Sequence, residues 1–168
     1  MSDSNSKARY YWAVLYPENM RDSWQDDIDL LLQVPYAYCI HDKDYLSDIF
    51  LPDNLKCTAG SERKEHVHLI LAFANTTTRN HALEVFKALY APGKVAIPGN
   101  FIQSIFNIRK AFDYLIHDTD DARKKHKYQY SKDERIMGNC FDIGAYEQLS
   151  ITFKNMQIKI HIICKALI

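Results

Sequence analysis

Three short polar words in this chain carry side chains able to do chemistry: His41-Asp42-Lys43-Asp44, His66-Val67-His68 and Tyr114-Leu115-Ile116-His117. Histidines at i and i+2 project from one face of a strand, because successive side chains alternate. If His41 ends a neighbouring strand, a third imidazole and the Asp44 carboxylate reach the same place. Mixed imidazole and carboxylate ligation with open positions suits a catalytic divalent cation better than a closed structural site. Oxygen from Asp44 and from a phosphate would shift the preference from zinc towards Mn2+ or Mg2+. An HxH pair alone is a weak signal, since strand histidines are commonly just hydrogen-bonded; His41 and Asp44 give it weight.

The third word supplies a nucleophile. In helical register Ile108, Ala111, Phe112 and Leu115 share one side, while Lys110, Tyr114 and His117 fall on roughly the opposite one. A phenol is a poor nucleophile at its ordinary pKa of about 10. Lys110, His117 or a nearby cation could favour the phenolate. A tyrosine that attacks a phosphate keeps the ester's energy in a phosphotyrosyl bond, so the break can later be resealed. Arg123, Lys124, Lys125, Lys127 and Lys132, with Tyr128 and Tyr130 interleaved and no acidic residue among them, form a further cluster. Such cations can neutralise backbone phosphates and such rings can stack on unpaired bases; the plainer reading is a solvated loop followed by a short strand.

The elements that must position these groups follow from periodicity. Tyr10 to Tyr16 reads as a strand ended by Pro17, Glu18 to Gln33 as a helix with an acidic outer side, and Pro35 to Ile40 as a second strand. Tyr45 to Glu65 reads as a long loop. His66 to Phe73 is the clearest strand, with Val67, Leu69, Leu71 and Phe73 on one face and His66, His68, Ile70 and Ala72 on the other. Thr76 to Thr78 offer capping oxygens for a helix to about Tyr90, whose buried stripe is Ala82, Val85, Phe86 and Leu89. Phe101 to Phe106 reads as a further strand, and Asn107 caps the helix that carries Tyr114 and His117. The order predicts an α+β fold, a central antiparallel sheet of about five strands with helices packed on one face and the histidine face left open. The segment 150–168 admits two readings: Phe153, Met156, Ile160, Ile163 and Leu167 space as a helix burying one seam, whereas Ile158, Ile160 and Ile162 alternate as a strand.

Composition narrows the class. With 168 residues, 47% hydrophobic and 25% charged, the chain is globular, and 21 basic against 21 acidic residues leave no global nucleic-acid footprint, only a local one. Cys39, Cys57, Cys140 and Cys164 form no CxxC pair, so neither a disulfide framework nor a cysteine zinc site is indicated, as in a reducing cytoplasm. Cys39 reads as a buried thiol. No signal peptide and no apolar run of the ~20 residues needed to span a membrane is present, so no membrane partner is expected.

At these residues the sequence resembles the plasmid rolling-circle replication initiators of the HUH endonuclease superfamily, and within them the small Rep proteins of Gram-positive bacterial plasmids. The resemblance runs from Ala8 to Leu149, through ARYYWAVLYPE, VPYAYCIHDKD, EHVHLILAF, DYLIHD, KKHKYQYSKDE and FDI. It implies a ferredoxin-like HUH fold over residues 1–149 that binds an origin. His41, Asp44, His66 and His68 would then hold the metal, Tyr114 would be the nicking tyrosine, and Asp42 and His117 would support the ligands. The implied activity is origin-specific, metal-dependent nicking and closing through a 5′-phosphotyrosyl intermediate, resembling a type I topoisomerase. A mobilisation relaxase or transposase of the same superfamily, or a non-catalytic nucleic-acid-binding module, are the alternatives. Implied partners are plasmid origin DNA, duplex and single-stranded, a host helicase and DNA polymerase, and further copies of the chain, in the bacterial cytoplasm. Lys110, Arg123, Lys124, Lys125, Lys127, Tyr128 and Tyr130 would contact the DNA. Many viral relatives carry a lysine three residues after the tyrosine where this chain has His117. Family members continue into a helical oligomerisation domain, of which 150–168 would be the start.

Overall fold

A computed structural model describes residues 7–45, 62–94, 101–152 and 156. Its centre is a five-stranded antiparallel sheet in the order β4-β1-β3-β2-β5. The strands are β1 (Lys7–Leu15), β2 (Tyr36–His41), β3 (His66–Thr78), β4 (Gln103–Ser104) and β5 (Arg135–Gly138). The helices are α1 (Trp24–Leu32), α2 (Arg79–Lys87), α3 (Ile108–Tyr114), α4 (Asp120–Lys124) and α5, helical over 143–152.

The alternation expected of β3 is present and decides what each sheet face does. Val67, Leu69, Leu71 and Phe73 point with Tyr11, Ala13, Leu15, Tyr36 and Tyr38 into one core, closed by Trp24, Ile28 and Leu32 of α1 and by Ala82 and Phe86 of α2. The opposite face is not open, contrary to the sequence expectation. Ile70, Ala72, Ala37 and Cys39 are covered by Ile108, Phe112 and Leu115 on and just after α3 and by Phe141 ahead of α5. Helices therefore flank the sheet on both sides, and the apolar stripe of α3 is the second lid. Cys39 is fully buried there, and burial pushes its thiol up to about 12. The histidines sit at the end of this covered face, where β2 and β3 pair His41 with His66 and Cys39 with His68.

Several boundaries shift for identifiable reasons. α1 begins at Trp24 rather than Glu18, because Pro17–Asn19 form a 3-10 turn, Met20 bridges to Tyr90, and the Arg21 N–H donates to Leu89 O at 2.9 Å. β3 runs on to Thr78, whose side chain caps α2 by accepting from the His81 N–H at 3.2 Å. β4 keeps only Gln103 and Ser104 of the strand expected over 101–106. At the edge, β5 lies so close to β2 that a Cβ on Gly138 would stand 2.2 Å from the Tyr36 ring. Of the expected long loop, 46–61 lies outside the described residues; Tyr45 and Glu62 at its ends form a β-bridge. In the tail Met156 is helical, while Phe153, Ile158, Ile160, Ile162, Ile163 and Leu167 lie outside the described residues. No helix among the described residues is long and apolar enough to cross a membrane.

Candidate active site

Five polar side chains are buried together at the end of β2 and β3: His41, Asp44, His66, His68 and His117. Burial of ionisable groups is costly unless each is paired or neutral, so the way they are wired is informative. The His41 Nε2–H donates to Leu115 O at 2.7 Å, the His66 Nδ1–H to Lys64 O at 2.9 Å, and the His117 Nδ1–H to Tyr128 O at 2.7 Å. A carbonyl can only accept, so each bond fixes the tautomer and leaves the other ring nitrogen as a lone pair. Those nitrogens, His41 Nδ1, His66 Nε2 and His117 Nε2, are buried without a hydrogen-bond partner, as are both nitrogens of His68.

Asp44 faces the lone pairs of His41 and His66 and the protonated nitrogen of His117. Its Oδ2 lies 3.4 Å from His41 Nδ1 and 3.7 Å from His66 Nε2, and its Oδ1 lies 3.6 Å from His117 Nδ1. Lone-pair nitrogens turned towards a carboxylate oxygen repel it unless a proton or a cation lies between them. Burial pushes His66 and His117 down to about 4 and His68 well below the ordinary imidazole value, so no proton lies between His66 and Asp44 at neutral pH. Burial alone would raise the Asp44 carboxyl, but the approach of His41 and the charge of His117 outweigh it and hold Asp44 at about 2. One ligand atom from each of His41, His66 and His68 lies within 4.8 Å of the others, and the same holds for His41, Asp44 and His117. Two donors about 2.1 Å from one ion stand roughly 3 to 3.6 Å apart, so the 3.4 Å between Asp44 and His41 suits a common cation and the 3.7 Å to His66 lies just beyond that range. A second ring nitrogen pinned to a backbone carbonyl is the usual support of a metal-bound histidine. These residues could hold a metal ion.

Two left-handed residues assemble this site. α3 ends at Tyr114, not His117 as the helical pattern suggests. Asp118 N–H returns to Asp113 O at 2.9 Å and His117 N–H to Tyr114 O at 3.0 Å, with His117 at φ 58°. This is a Schellman termination, with histidine where glycine is usual, and it turns the imidazole inward instead of along the outer side of α3. His126, at φ 52°, ends α4 in the same way and sends residues 127–130 back past the site. Three contacts follow. Tyr128 O takes the His117 proton, the Tyr130 N–H donates to Ile116 O at 3.2 Å, and Lys127 Nζ donates to the Tyr114 hydroxyl at 2.9 Å.

The remaining expected site residues divide sharply. Tyr114 stands beside the histidines, its ring 5.7 Å from that of His68 and 5.3 Å from that of His117. The cation at its hydroxyl is Lys127, not Lys110, whose ammonium lies 3.5 Å from Asp121 on the exposed side. Tyr130 is not a surface for stacking bases. It is 4% exposed, its ring stacks on His41 at 4.6 Å, and its hydroxyl accepts from the Lys43 N–H at 3.0 Å and donates to Asp44 Oδ1 at 3.3 Å. Arg123 is engaged with Asp118 at 2.5 Å and Asp120 at 2.8 Å, pairs invisible to a count of basic residues. Lys124, Lys125 and Lys132 are exposed, and Tyr128 is 41% exposed. Asp42 takes no part in the cluster; it is exposed and its nearest cation is Lys43 at 4.0 Å. Lys127 and Tyr130 thus have roles beside Tyr114 and Asp44 that their places in a basic run did not signal.

Comparison with known proteins places the chain in a family. Residues 3–144 match the family model described as plasmid replication protein, origin binding domain. The chain is 29% identical over 152 residues to the replication protein RepB of Streptococcus agalactiae, covering 90% of this chain and 66% of that protein. It is 26% identical over 154 residues to a replication protein RepB of Lactiplantibacillus plantarum, covering 91% and 59%, and 24% identical over 155 residues to a replication protein of Staphylococcus aureus, covering 92% and 66%. The chain thus spans a little under two thirds of the length of these relatives. With a family model matched over 142 of its 168 positions, from 3 to 144, the chain belongs to the plasmid replication proteins through their origin-binding domain.

Proposed function

We propose that this protein starts rolling-circle replication of a plasmid by binding its origin and cutting one strand there in a metal-dependent transesterification. The observation that carries the reading is the wiring of the buried cluster. Three imidazoles are each fixed to a backbone carbonyl, and the free lone pairs of two of them, His41 and His66, face one carboxylate beside a tyrosine. Pure DNA binding requires none of this. His41, Asp44, His66 and His68 would hold a divalent ion, Mn2+ or Mg2+, with His117 supporting Asp44. When bound, such an ion polarises and orients the scissile phosphate. Tyr114 attacks the phosphorus through its hydroxyl oxygen. The Tyr114 Oη–P bond forms, the P–O3′ bond breaks, the phenolic proton leaves and the departing oxygen is protonated to a 3′-hydroxyl that a polymerase extends. Lys127 holds the phenolic oxygen and opposes the negative charge that develops on it. Reversal by a 3′-hydroxyl closes the strand.

The exposed Lys124 and Lys125 would contact origin phosphates, with the domain comprising 1–149. Host helicase and polymerase would follow at the nick, and copies of the chain would assemble through the segment from 150 on. The test is supercoiled plasmid bearing the cognate origin, incubated with protein and Mn2+. Nicked circles should appear with wild-type protein, and disappear with excess chelator or in His66→Ala and His68→Ala variants that still bind duplex. Wild-type nicking in excess chelator would contradict the metal requirement.

A further inference from the structure

Beside Tyr114 lies a cleft of about 300 Å³ that the reaction above does not use, lined by Trp12, Ile105, Phe106, Asn107, Lys110 and Tyr114 among others. Besides Tyr114, two aromatic rings border it. Trp12 is held in place: its indole N–H donates to Gln103 Oε1 at 3.2 Å, and its ring meets Tyr114 edge-on at 5.8 Å. Phe106 is 95% exposed, more than any other large apolar side chain among the described residues. It precedes Asn107, which caps α3 by accepting from the Lys110 N–H at 2.9 Å, so its backbone is anchored to the start of a helix and not to a free loop. A residue just before an N-cap normally packs back on the helix's first turns. Here the ring stays in water next to the nucleophile, which is the informative kind of exposed apolar group.

We infer that this cleft receives an unpaired nucleobase of the DNA strand being cut, one belonging to a nucleoside bonded to the phosphate that Tyr114 attacks. The inference rests on the nicking reading. A phosphorus in contact with the Tyr114 hydroxyl carries a nucleoside on each side, and a base from one of them needs a surface within a nucleotide's reach of that oxygen. The cleft is continuous with the phenol and its aromatic borders give a base two faces to pack on; at its rim the Lys110 ammonium stands 3.5 Å from Asp121, which lines the same cleft. A base that enters the cleft has left its pairing partner, so the strand is single there. Stacking on an aromatic ring tolerates any base, so the cleft would hold the strand in place while contacts elsewhere read the origin.

The experiment is a binding cycle with Tyr114→Phe protein, which cannot cleave, and single-stranded oligonucleotides spanning the nick site. One oligonucleotide is intact and two are abasic at either position flanking the scissile phosphate. Phe106→Ala in this background should weaken the intact strand by between about five- and 150-fold. One abasic position should cost the Phe106 protein a similar factor and cost the Phe106→Ala protein almost nothing. Phe106→Trp should restore binding and the dependence on the base. Equal effects of both abasic positions in the two proteins, or no loss of affinity in Phe106→Ala, would overturn the inference. A lowered melting temperature with unchanged affinity would overturn it too, by showing that the ring covers part of this chain. Wild-type protein assayed for a Tyr114 adduct separates the two claims. An adduct without coupling removes the base site alone, whereas coupling without an adduct leaves the base site standing and removes the nicking reading.

Discussion

Tyr130 offers the sharpest test of how the cluster is held together. Tyr130→Phe keeps the ring that stacks on His41 at 4.6 Å and removes only the hydroxyl, which joins the Lys43 N–H at 3.0 Å to Asp44 Oδ1 at 3.3 Å. Asp44 then loses a neutral donor that helps fix its orientation towards His41 and His66. Loss of a group that orients a metal ligand typically lowers metal affinity about 10- to 100-fold. The effect can be read as stability, because an ion that binds only the folded state adds RT ln(1 + [M]/Kd). At a Mn2+ concentration of about 100 times the wild-type Kd that is roughly 2.7 kcal/mol, falling to about 1.4 or 0.4 kcal/mol for a 10- or 100-fold weaker site. In a chain of this size about 1 kcal/mol moves the melting temperature by roughly 2–4 °C. Mn2+ should therefore raise the wild-type midpoint by about 5–11 °C and that of Tyr130→Phe by about 1–6 °C, with the apo variant itself slightly less stable through the unpaired Lys43 N–H. Calorimetric titration with Mn2+ gives the affinities directly. Equal Mn2+ affinity in the two proteins would refute the role given to the hydroxyl and reopen Tyr130 as a DNA contact.

The exposed lysines should behave differently. Lys124→Gln with Lys125→Gln should flatten the dependence of log K on log salt by roughly 0.9 per lost phosphate contact, while Arg123→Gln, already paired with Asp118 and Asp120, should change the slope little. An unchanged slope in the double variant would return the segment to a solvated surface. Acid should destabilise the metal-free protein through His66 and His117, which stay neutral when folded down to about 4 against 6.5 for a free imidazole. Between those values the unfolded chain binds protons that the folded one refuses, so stability falls as the pH drops from about 6.5 towards 4. A melting midpoint in chelator that is flat across that range would contradict the buried, neutral state of the two rings.

Much of this site is written in local patterns, and the rest is not. The period of two along β3 separates Val67, Leu69, Leu71 and Phe73 from His66 and His68, and it survives in the structure because both faces are packed and a one-residue slip would exchange them. The Asn107 cap and the apolar stripe of α3 were equally legible, but the stripe did not say that it would cover the histidine face. What could not be read depends on non-glycine residues in the left-handed region. His117 and His126 terminate helices where no glycine marks the turn, so the pattern ran α3 through His117 and left the chain after it as loop. The returns made at those residues bring Lys127 to Tyr114 and Tyr130 to Asp44, contacts between positions 13 and 86 residues apart in sequence. Composition could count the cations of the basic run but not see that Arg123 is paired and that Lys127 points at a phenol.

The central claim is that Tyr114 becomes covalently joined to DNA, and the direct measurement is the adduct itself. Wild-type protein is incubated with Mn2+ and single-stranded oligonucleotides tiled across the cognate origin, digested with protease, and the nucleotide-bearing peptide sequenced by mass spectrometry. Tyr114→Phe, which keeps the ring and its packing against Trp12 at 5.8 Å, serves as the control. The expected result is a nucleotide on the peptide containing Tyr114, dependent on Mn2+ and absent from Tyr114→Phe. A nucleotide on a peptide with Tyr128 or Tyr130 and not Tyr114, or an adduct formed by Tyr114→Phe, would contradict it.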